Sequence, residues 1–370
     1  MKQKLQSALS YTIIFLIIAI ALHFNIQSEL NPSNNPTHPK ENSTVPSLIE
    51  ENGNLTIYFC PKDDCEKHLT NLIKSANKSI YCALYDIKLN SFVDAIKDLK
   101  EKDIEIGIIT DDKTVQSKNS KYNELEQMLG ENMKTDKKRS TGKYNNLMHN
   151  KFCIIDNKTV FAGSLNPTDR GMQKNNNNML IITSKYIAQN YMDEFMEMNN
   201  DEFGDRNSQT AKYPLIELKN TQYDNMKIRN CFCPEDNCKK HVIGSIDRAN
   251  TSIYFCLFSF TENNTKNALI KAAERGVEVK GIFEKTQAGS KYSAFSELKN
   301  RNNSNMDIRK DANPAFLHHK FFVIDEYITI TGSMNPTQSG YFYNDENIMI
   351  IENPTIAKIY IEEYDSRRED

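Results

Sequence analysis

The sequence predicts an α/β protein: two similar domains behind an N-terminal transmembrane helix. Three observations carry that prediction: a duplicated set of motifs, an alternation of strand-like and helix-like runs, and one apolar run at the chain start.

The duplication organises the rest. CPKDDCEKH at 60–68 returns as CPEDNCKKH at 233–241, and ANKSIYCALYDI at 76–87 returns as ANTSIYFCLFSF at 249–260, both displaced by 173 residues. Further on, HNKFCIIDNKTVFAGSLNPT (149–168) returns as HHKFFVIDEYITITGSMNPT (318–337), displaced by 169, so the second copy is four residues shorter in a middle loop. A period this long marks a duplicated domain rather than a solenoid.

Within each copy a β-branched and aromatic run (SIYCALYDI, TSIYFCLFSF) precedes a helical pattern such as NALIKAAERG, and a second apolar run follows (IEIGIIT, VEVKGIF). After a variable loop come two short strand candidates, KFCIID with TVFAG and KFFVID with TITG, then NMLIIT or NIMIIE and a closing helix. The expected domains are 53–205 and 226–370, joined by a connection over 206–225.

At the chain start, Lys2 and Lys4 precede ten unbroken apolar residues, Ile13 to Leu22. With looser flanks the segment reaches about 19 residues, the length that spans a hydrocarbon core. Residues 1–26 therefore read as a signal anchor or a signal peptide; Ala19 and Ala21 offer a cleavage pattern, while the length of the run favours the anchor. Either way the positive end stays inside and the two domains lie outside the cytoplasm, membrane-anchored or, after cleavage, secreted. Residues 27–52, with Pro32, Pro36, Pro39 and Pro46 among polar residues, are expected to be a flexible linker.

A length of 370 residues allows two ordinary domains, and 39% hydrophobic with 26% charged residues allows packed cores. The net charge of -3 argues against a surface coated in basic residues for bulk nucleic-acid binding, although a local basic groove is compatible with it.

The chemistry sits in the longest repeat. His149, Lys151 and Asp156 form H-x-K-x4-D, and His318, Lys320 and Asp325 repeat it. Each is followed at identical spacing by G-S-x-N: Gly163, Ser164 and Asn166, then Gly332, Ser333 and Asn335. In an extended strand, positions i and i+2 face the same way, so each histidine points with its lysine and His319 points away. Two lysines suit an anionic substrate, Asn166 and Asn335 can donate hydrogen bonds to it, and two imidazoles can divide nucleophile and acid between them.

This doubled H-x-K-x4-D and G-S-x-N signature resembles the phospholipase D superfamily over about residues 53–370. The resemblance implies two α/β domains related by a pseudo-two-fold axis. The motifs meet in one active site, so a monomer suffices. It also implies phosphodiester cleavage through a covalent phosphohistidine, with no metal and no cofactor. In that family a carboxylate about twenty residues past the motif aspartate accepts a hydrogen bond from the catalytic imidazole. Here Glu346 stands at that place in the second copy and Asn177 in the first. Taking each within its own copy, His318 backed by Glu346 is expected to start protonated as general acid, and His149 facing Asn177 to be the nucleophile, as in the similar tyrosyl-DNA phosphodiesterases. Asp156 and Asp325 are expected to brace strand ends.

The expected substrate is a phospholipid, with a nuclease acting on DNA or RNA as the alternative. A phospholipid transferase or synthase, or a non-catalytic binding module, stands further off. A basic stretch before the first motif (Lys134, Lys137, Lys138, Arg139, Lys143) could steer anions, and Tyr144, Phe316, Tyr341, Phe342 and Tyr343 could serve either substrate. Cys60 with Cys65 and Cys233 with Cys238, each followed by a histidine (His68, His241), read as local disulfides or as zinc ligands, and export favours the disulfides. Cys82, Cys153, Cys231 and Cys256 are expected to be buried thiols.

Overall fold

Seven strands of the first copy form one sheet. The computed structural model describes residues 48–138, 146–204, 210–220 and 222–369, so the apolar segment at 1–26 and most of the expected linker lie outside it. Among the described residues no helix is long and apolar enough to cross a membrane.

In the first copy the strands are β1 (Ile49–Asn52), β2 (Asn54–Cys60), β3 (Ser79–Leu84), β4 (Glu105–Thr110), β5 (Met133–Thr135), β6 (Lys151–Ile155), β7 (Thr159–Gly163) and β8 (Asn177–Thr183). The second contributes β9 (Ile216–Asn220), β10 (Asp224–Cys233), β11 (Ser252–Leu257), β12 (Glu278–Phe283), β13 (Met306–Lys310), β14 (Lys320–Ile324), β15 (Ile328–Gly332) and β16 (Glu346–Glu352). The sheet orders are β2-β8-β7-β6-β3-β4-β5 and β1-β9-β10-β16-β15-β14-β11-β12-β13. From β10 onward the second order repeats the first strand for strand.

The two additional strands correct the expected boundaries. Residues 49–52, read as the end of a flexible linker, pair in parallel with β9, Ile49 opposite Ile216. The connection expected over 206–225 itself supplies β9 and the start of β10. The cause is visible in the pattern: Ile216 and Leu218 alternate with polar residues and are fully buried.

Alternation along the strands divides the apolar residues among three cores. Ile80, Cys82 and Leu84 of β3 face outward onto the helices Cys65–Lys74 and Asn90–Lys100, with Leu69, Ile73 and Phe92. Their counterparts in the second copy, Ile253, Phe255 and Leu257, pack on the helices Cys238–Asp247 and Asn263–Glu274. The opposite faces of both sheets share one core with the closing helices Lys185–Asn199 and Pro354–Glu369, through Phe152, Tyr191, Phe195, Phe321, Tyr360 and Tyr364. That shared core fixes the two motif strands against each other.

Three disulfides are present. Cys60–Cys65 and Cys233–Cys238 close as expected, which commits these sulfurs to each other rather than to zinc. The third, Cys82–Cys153, corrects the reading of both residues as thiols: they are direct partners across the antiparallel β3–β6 pair. Cys231 and Cys256 are buried and free.

Candidate active site

The peptide around each motif histidine is held by the other copy. The N–H of His149 donates to the carbonyl of Asp345 at 3.0 Å, and the N–H of His318 donates to the carbonyl of Asn176 at 2.8 Å. Asp345 and Asn176 are equivalent in the repeat, as are the bridged pairs Met148–Asp345 and Leu317–Asn176. These reciprocal contacts are pseudo-two-fold symmetry written in hydrogen bonds. They bring both imidazoles to one cleft of 700 Å³, which Asn166, Asn335 and Asn177 also line.

The side-chain partners cross over too, and this corrects the expected pairing. Nδ1 of His149 lies 2.8 Å from Oε2 of Glu346, while Nδ1 of His318 lies 2.8 Å from Oδ1 of Asn177. The carboxylate thus backs the first-copy histidine, not the second. The G-S-x-N serines sit behind these acceptors: Ser333 Oγ donates to Glu346 Oε2 at 2.7 Å, and Ser164 Oγ donates to Asn177 Oδ1 at 3.1 Å. Asn344 adds an Nδ2–H bond to Glu346 Oε1 at 3.0 Å. With both carboxylate oxygens satisfied and the residue fully buried, Glu346 holds the imidazole in the tautomer that leaves Nε2 free.

Burial dominates the electrostatics. The His149 ring is pushed down to about 4, first by loss of water; Glu346 opposes the shift and Lys151 adds to it. His318 is also pushed well below the usual imidazole range by burial, then by Lys320 and Lys151. Lys151 is lowered to about 7, chiefly by burial, and Lys320 moves the same way for the same reason. Each lysine reaches back to the carbonyl of its own histidine, at 2.6 Å for Lys151 and 2.7 Å for Lys320. A bound anion would relieve all four groups, because it favours their charged forms.

The motif aspartates stand at the far ends of these strands. Asp156 accepts from the backbone N–H groups of Asn77, Lys78 and Ser79, and Asp325 accepts from those of Asn250, Thr251 and Ser252. Both also occupy the left-handed backbone region, at φ 52°, where a short carboxylate side chain is tolerated in a turn. The motif glycines answer to close packing: a Cβ on Gly163 would lie 2.4 Å from the Asn178 carbonyl oxygen, and one on Gly332 would lie 2.2 Å from that of Asn347.

His319 points away from the cleft and is fully buried, with Nε2 2.9 Å from Glu363 on the closing helix. Its counterpart Asn150 makes the equivalent bond to Glu194. Of the aromatic candidates, Phe316 lines the cleft, whereas Tyr341 is buried with its hydroxyl against Thr265. Lys134 donates to the carbonyl of Asn199, and the stretch from Arg139 to Tyr144 lies outside the described residues.

Sequence reasoning missed several cleft residues. Tyr85 packs its ring 4.8 Å from His149, and Phe258 stands at the same distance from His318. Both occupy one position of the repeat, which was the available signal. Arg170 lies over the Phe316 ring at 4.3 Å, with no repeat partner to advertise it, since Ser339 stands in its place. Among the described residues Asp111, Asp112 and Asp136 are close enough together to hold a cation. Two of them, Asp111 and Asp136, also accept from the N–H of Met148, just ahead of His149.

Comparison with known proteins comes to the same frame. The family model described as cardiolipin synthase, PLD-like domain, matches residues 69–199 and again 242–368. A phospholipase D of Rickettsia prowazekii is 28% identical over 205 residues, covering 53% of this chain and 96% of that protein. Human mitochondrial cardiolipin hydrolase is 29% identical over 136 residues, 36% of this chain and 53% of its own length. Among solved structures, a phosphatidylserine synthase of Haemophilus influenzae superposes with a TM-score of 0.61 at 13% identity, covering 84% of this chain and 86% of that one, a likeness of fold.

Proposed function

Because this chain belongs to the phospholipase D superfamily, we propose that it is a phosphodiester hydrolase acting on phospholipids, with His149 as nucleophile and His318 as general acid and then base. The observation that carries this reading is the crossed pair of imidazoles in one cleft, each with Nδ1 engaged and both backed by buried lysines.

His149 donates Nδ1–H to Glu346 and attacks phosphorus with the Nε2 lone pair. As the P–N bond forms, the P–O bond to the leaving alkoxide breaks, and that oxygen takes a proton from Nε2 of His318. Water then attacks the phosphohistidine, giving its proton to the now neutral His318. The P–N electrons return to Nε2 of His149, and a phosphate monoester leaves. Lys151, Lys320, Asn166 and Asn335 offset the charge that builds on the phosphoryl oxygens.

The crossed pairing keeps these roles and changes their reason. A carboxylate favours whichever imidazole is cationic, and by resting charge alone it would mark His149 as the acid. The phosphohistidine, however, carries its positive charge until water removes the phosphoryl group, so the carboxylate matters most behind the nucleophile. His318 must release its proton readily, which a neutral amide permits. Burial and the two lysines lower its proton affinity and the anionic substrate raises it, so His318 takes up a proton from solvent as substrate binds.

The described cleft supports a lipid over an extended polyanion. Lys88 is paired to Asp86 at 2.7 Å, Arg170 donates to Asn175 and lies over the Phe316 ring, and Tyr85, Phe258 and Phe316 add apolar surface. The relatives named phospholipase D and cardiolipin hydrolase agree with that choice. The apolar segment Ile13–Leu22 is proposed to hold the chain at a membrane with the catalytic domains outside, a compartment in which three disulfides persist.

The test is to assay the full chain on phospholipid vesicles and single-stranded DNA in EDTA, then quench and map the phosphorylated residue. Label on His149 with lipid turnover is expected. Label on His318 would overturn the assignment of roles, and turnover of DNA alone would overturn the substrate.

A further inference from the structure

Two pockets occupy equivalent places in the two copies, at the C-terminal ends of β2 and β10 and beside the closing helices. The first, of 480 Å³, is bounded by the turn 59–62, Lys174, Asn176, Asn313, Glu363 and Arg367. The second, of 590 Å³, is bounded by Phe232, Asp193, Glu194, Glu197 and residues 210–212 of the connection. The repeat keeps their frames: Phe59 matches Phe232, Pro61 matches Pro234, and Glu363 matches Glu194. It reverses their charge. Lys62 and Lys174 of the first copy stand where the second has Glu235 and Tyr343, Arg367 of the second stands where the first has Met198, and Asn176 stands where the second copy has Asp345.

The acidic side is walled in part by residues 210–212, and the neighbouring backbone suits its charge. The connection runs past it, with the N–H of Gly204 donating to Asp345 at 2.5 Å and that of Ala211 donating to Asp236 at 3.1 Å. Carboxylates are suited to that run of backbone donors. On the basic side the segment 312–314 lines the pocket, with Asn313 Nδ2–H donating to Asn176 Oδ1 and to the Lys174 carbonyl at 3.3 Å, while the Lys62 and Lys174 ammonium groups have no ion-pair partner among the described residues. Arg367 bonds Glu363 at 3.3 Å, and that carboxylate is shared with His319.

We propose that the basic pocket is a binding site, outside the catalytic cleft, for a phosphate group carried by a lipid headgroup or by a free phosphate monoester. Two unpaired ammonium groups and a guanidinium around an open volume favour a compact, multiply charged anion. The far wall of the pocket is the segment that positions the second motif: Asn176 holds the backbone of His318, and Asn177, next to it, holds the His318 ring. Binding there is readable directly, so its outcome is independent of which phosphodiester the cleft cleaves.

The experiment uses the full chain. Crystals soaked in tungstate, a phosphate mimic with an anomalous signal, should show a peak between Lys62 and Lys174. Calorimetric titration with glycerol 3-phosphate should show a binding event that Lys62→Glu with Lys174→Glu weakens at least tenfold, while hydrolysis of bis(p-nitrophenyl) phosphate stays within twofold. Lys62→Gln with Lys174→Gln, which adds no negative charge, should weaken it in the same direction. Co-sedimentation with phosphatidylcholine vesicles containing phosphatidic acid separates the sources. Loss in the charge-reversed variant assigns a lipid headgroup, whereas retention beside lost glycerol 3-phosphate binding assigns the free ester. Tungstate confined to the catalytic cleft, unchanged affinity in the double variants, or an equal loss from Lys212→Glu in the acidic pocket would each overturn the proposal.

Discussion

Where the first copy joins β3 to β6 through Cys82 and Cys153, the second places Phe255 opposite Phe322, their rings 5.7 Å apart. The two solutions fill the same outward face at the same register, one by a covalent bond and one by aromatic packing. The copies differ in another way along the surface where they meet. Asn177 answers Glu346, and Asn150 answers His319, and each of these side chains acts at or near the interface rather than in its own outer core. A substitution in an outer core is absorbed by its own copy. One at the interface changes the partner's chemistry, and so the duplication can be symmetric in backbone and asymmetric in mechanism.

The strongest way to break that comparison is to remove each imidazole. His149→Ala should lower kcat by about 10⁴-fold or more on every phosphodiester. His318→Ala should do so for lipid substrates but far less for a p-nitrophenyl ester, whose leaving group needs no proton. Equal losses of His318→Ala on both substrates would show that the two histidines do not divide the work.

Glu346→Gln makes the two acceptors alike. A loss of roughly 10²–10³ in kcat is expected, the range for removing one preorganised electrostatic partner. The carboxylate raises the His149 pKa, so the ring, already near 4, should titrate lower still in this variant by imidazole nitrogen NMR. Because the folded ring lies below the free value of 6.5, the unfolded chain takes the proton first. This contribution therefore favours the folded chain above pH 6.5 and is lost as pH falls toward 4, about 3 kcal/mol in all. Urea midpoints measured across that window should vary less in His149→Gln; an unchanged slope would remove His149 from the acid lability.

The outer cores can be compared on stability. Opening Cys82–Cys153, which closes a loop of 71 residues, should cost about 4 kcal/mol through the unfolded chain, and Phe255→Ala about 3–5 kcal/mol through the cavity it leaves. Denaturation with and without reductant separates them, because only the first depends on the bond. Smallest is His319→Asn, which copies Asn150: a change under about 1 kcal/mol with kcat nearly unaltered is expected. A large loss of activity would return His319 to the site.

Much of this was legible in one dimension. Repeat offsets of 173 and 169 located equivalent residues, and strand alternation set His149 with Lys151 and turned His319 away. The β1–β9 pair was not legible, because Ile49 finds Ile216 only once both copies have folded. The Cys82–Cys153 bond required the β3–β6 register, where a slip of one residue would send the two sulfurs to opposite faces.

The chain's own pattern was enough to specify two α/β copies and their motifs, since these rest on local periodicity and on residue type, and the phosphodiester chemistry followed from the family those motifs resemble. The tertiary structure alone decided which imidazole meets the carboxylate and which charged side chains converge on each of two equivalent pockets. Those outcomes depend on hydrogen bonds that span 197 and 141 residues across a shared core, and on elements of both copies meeting at each pocket.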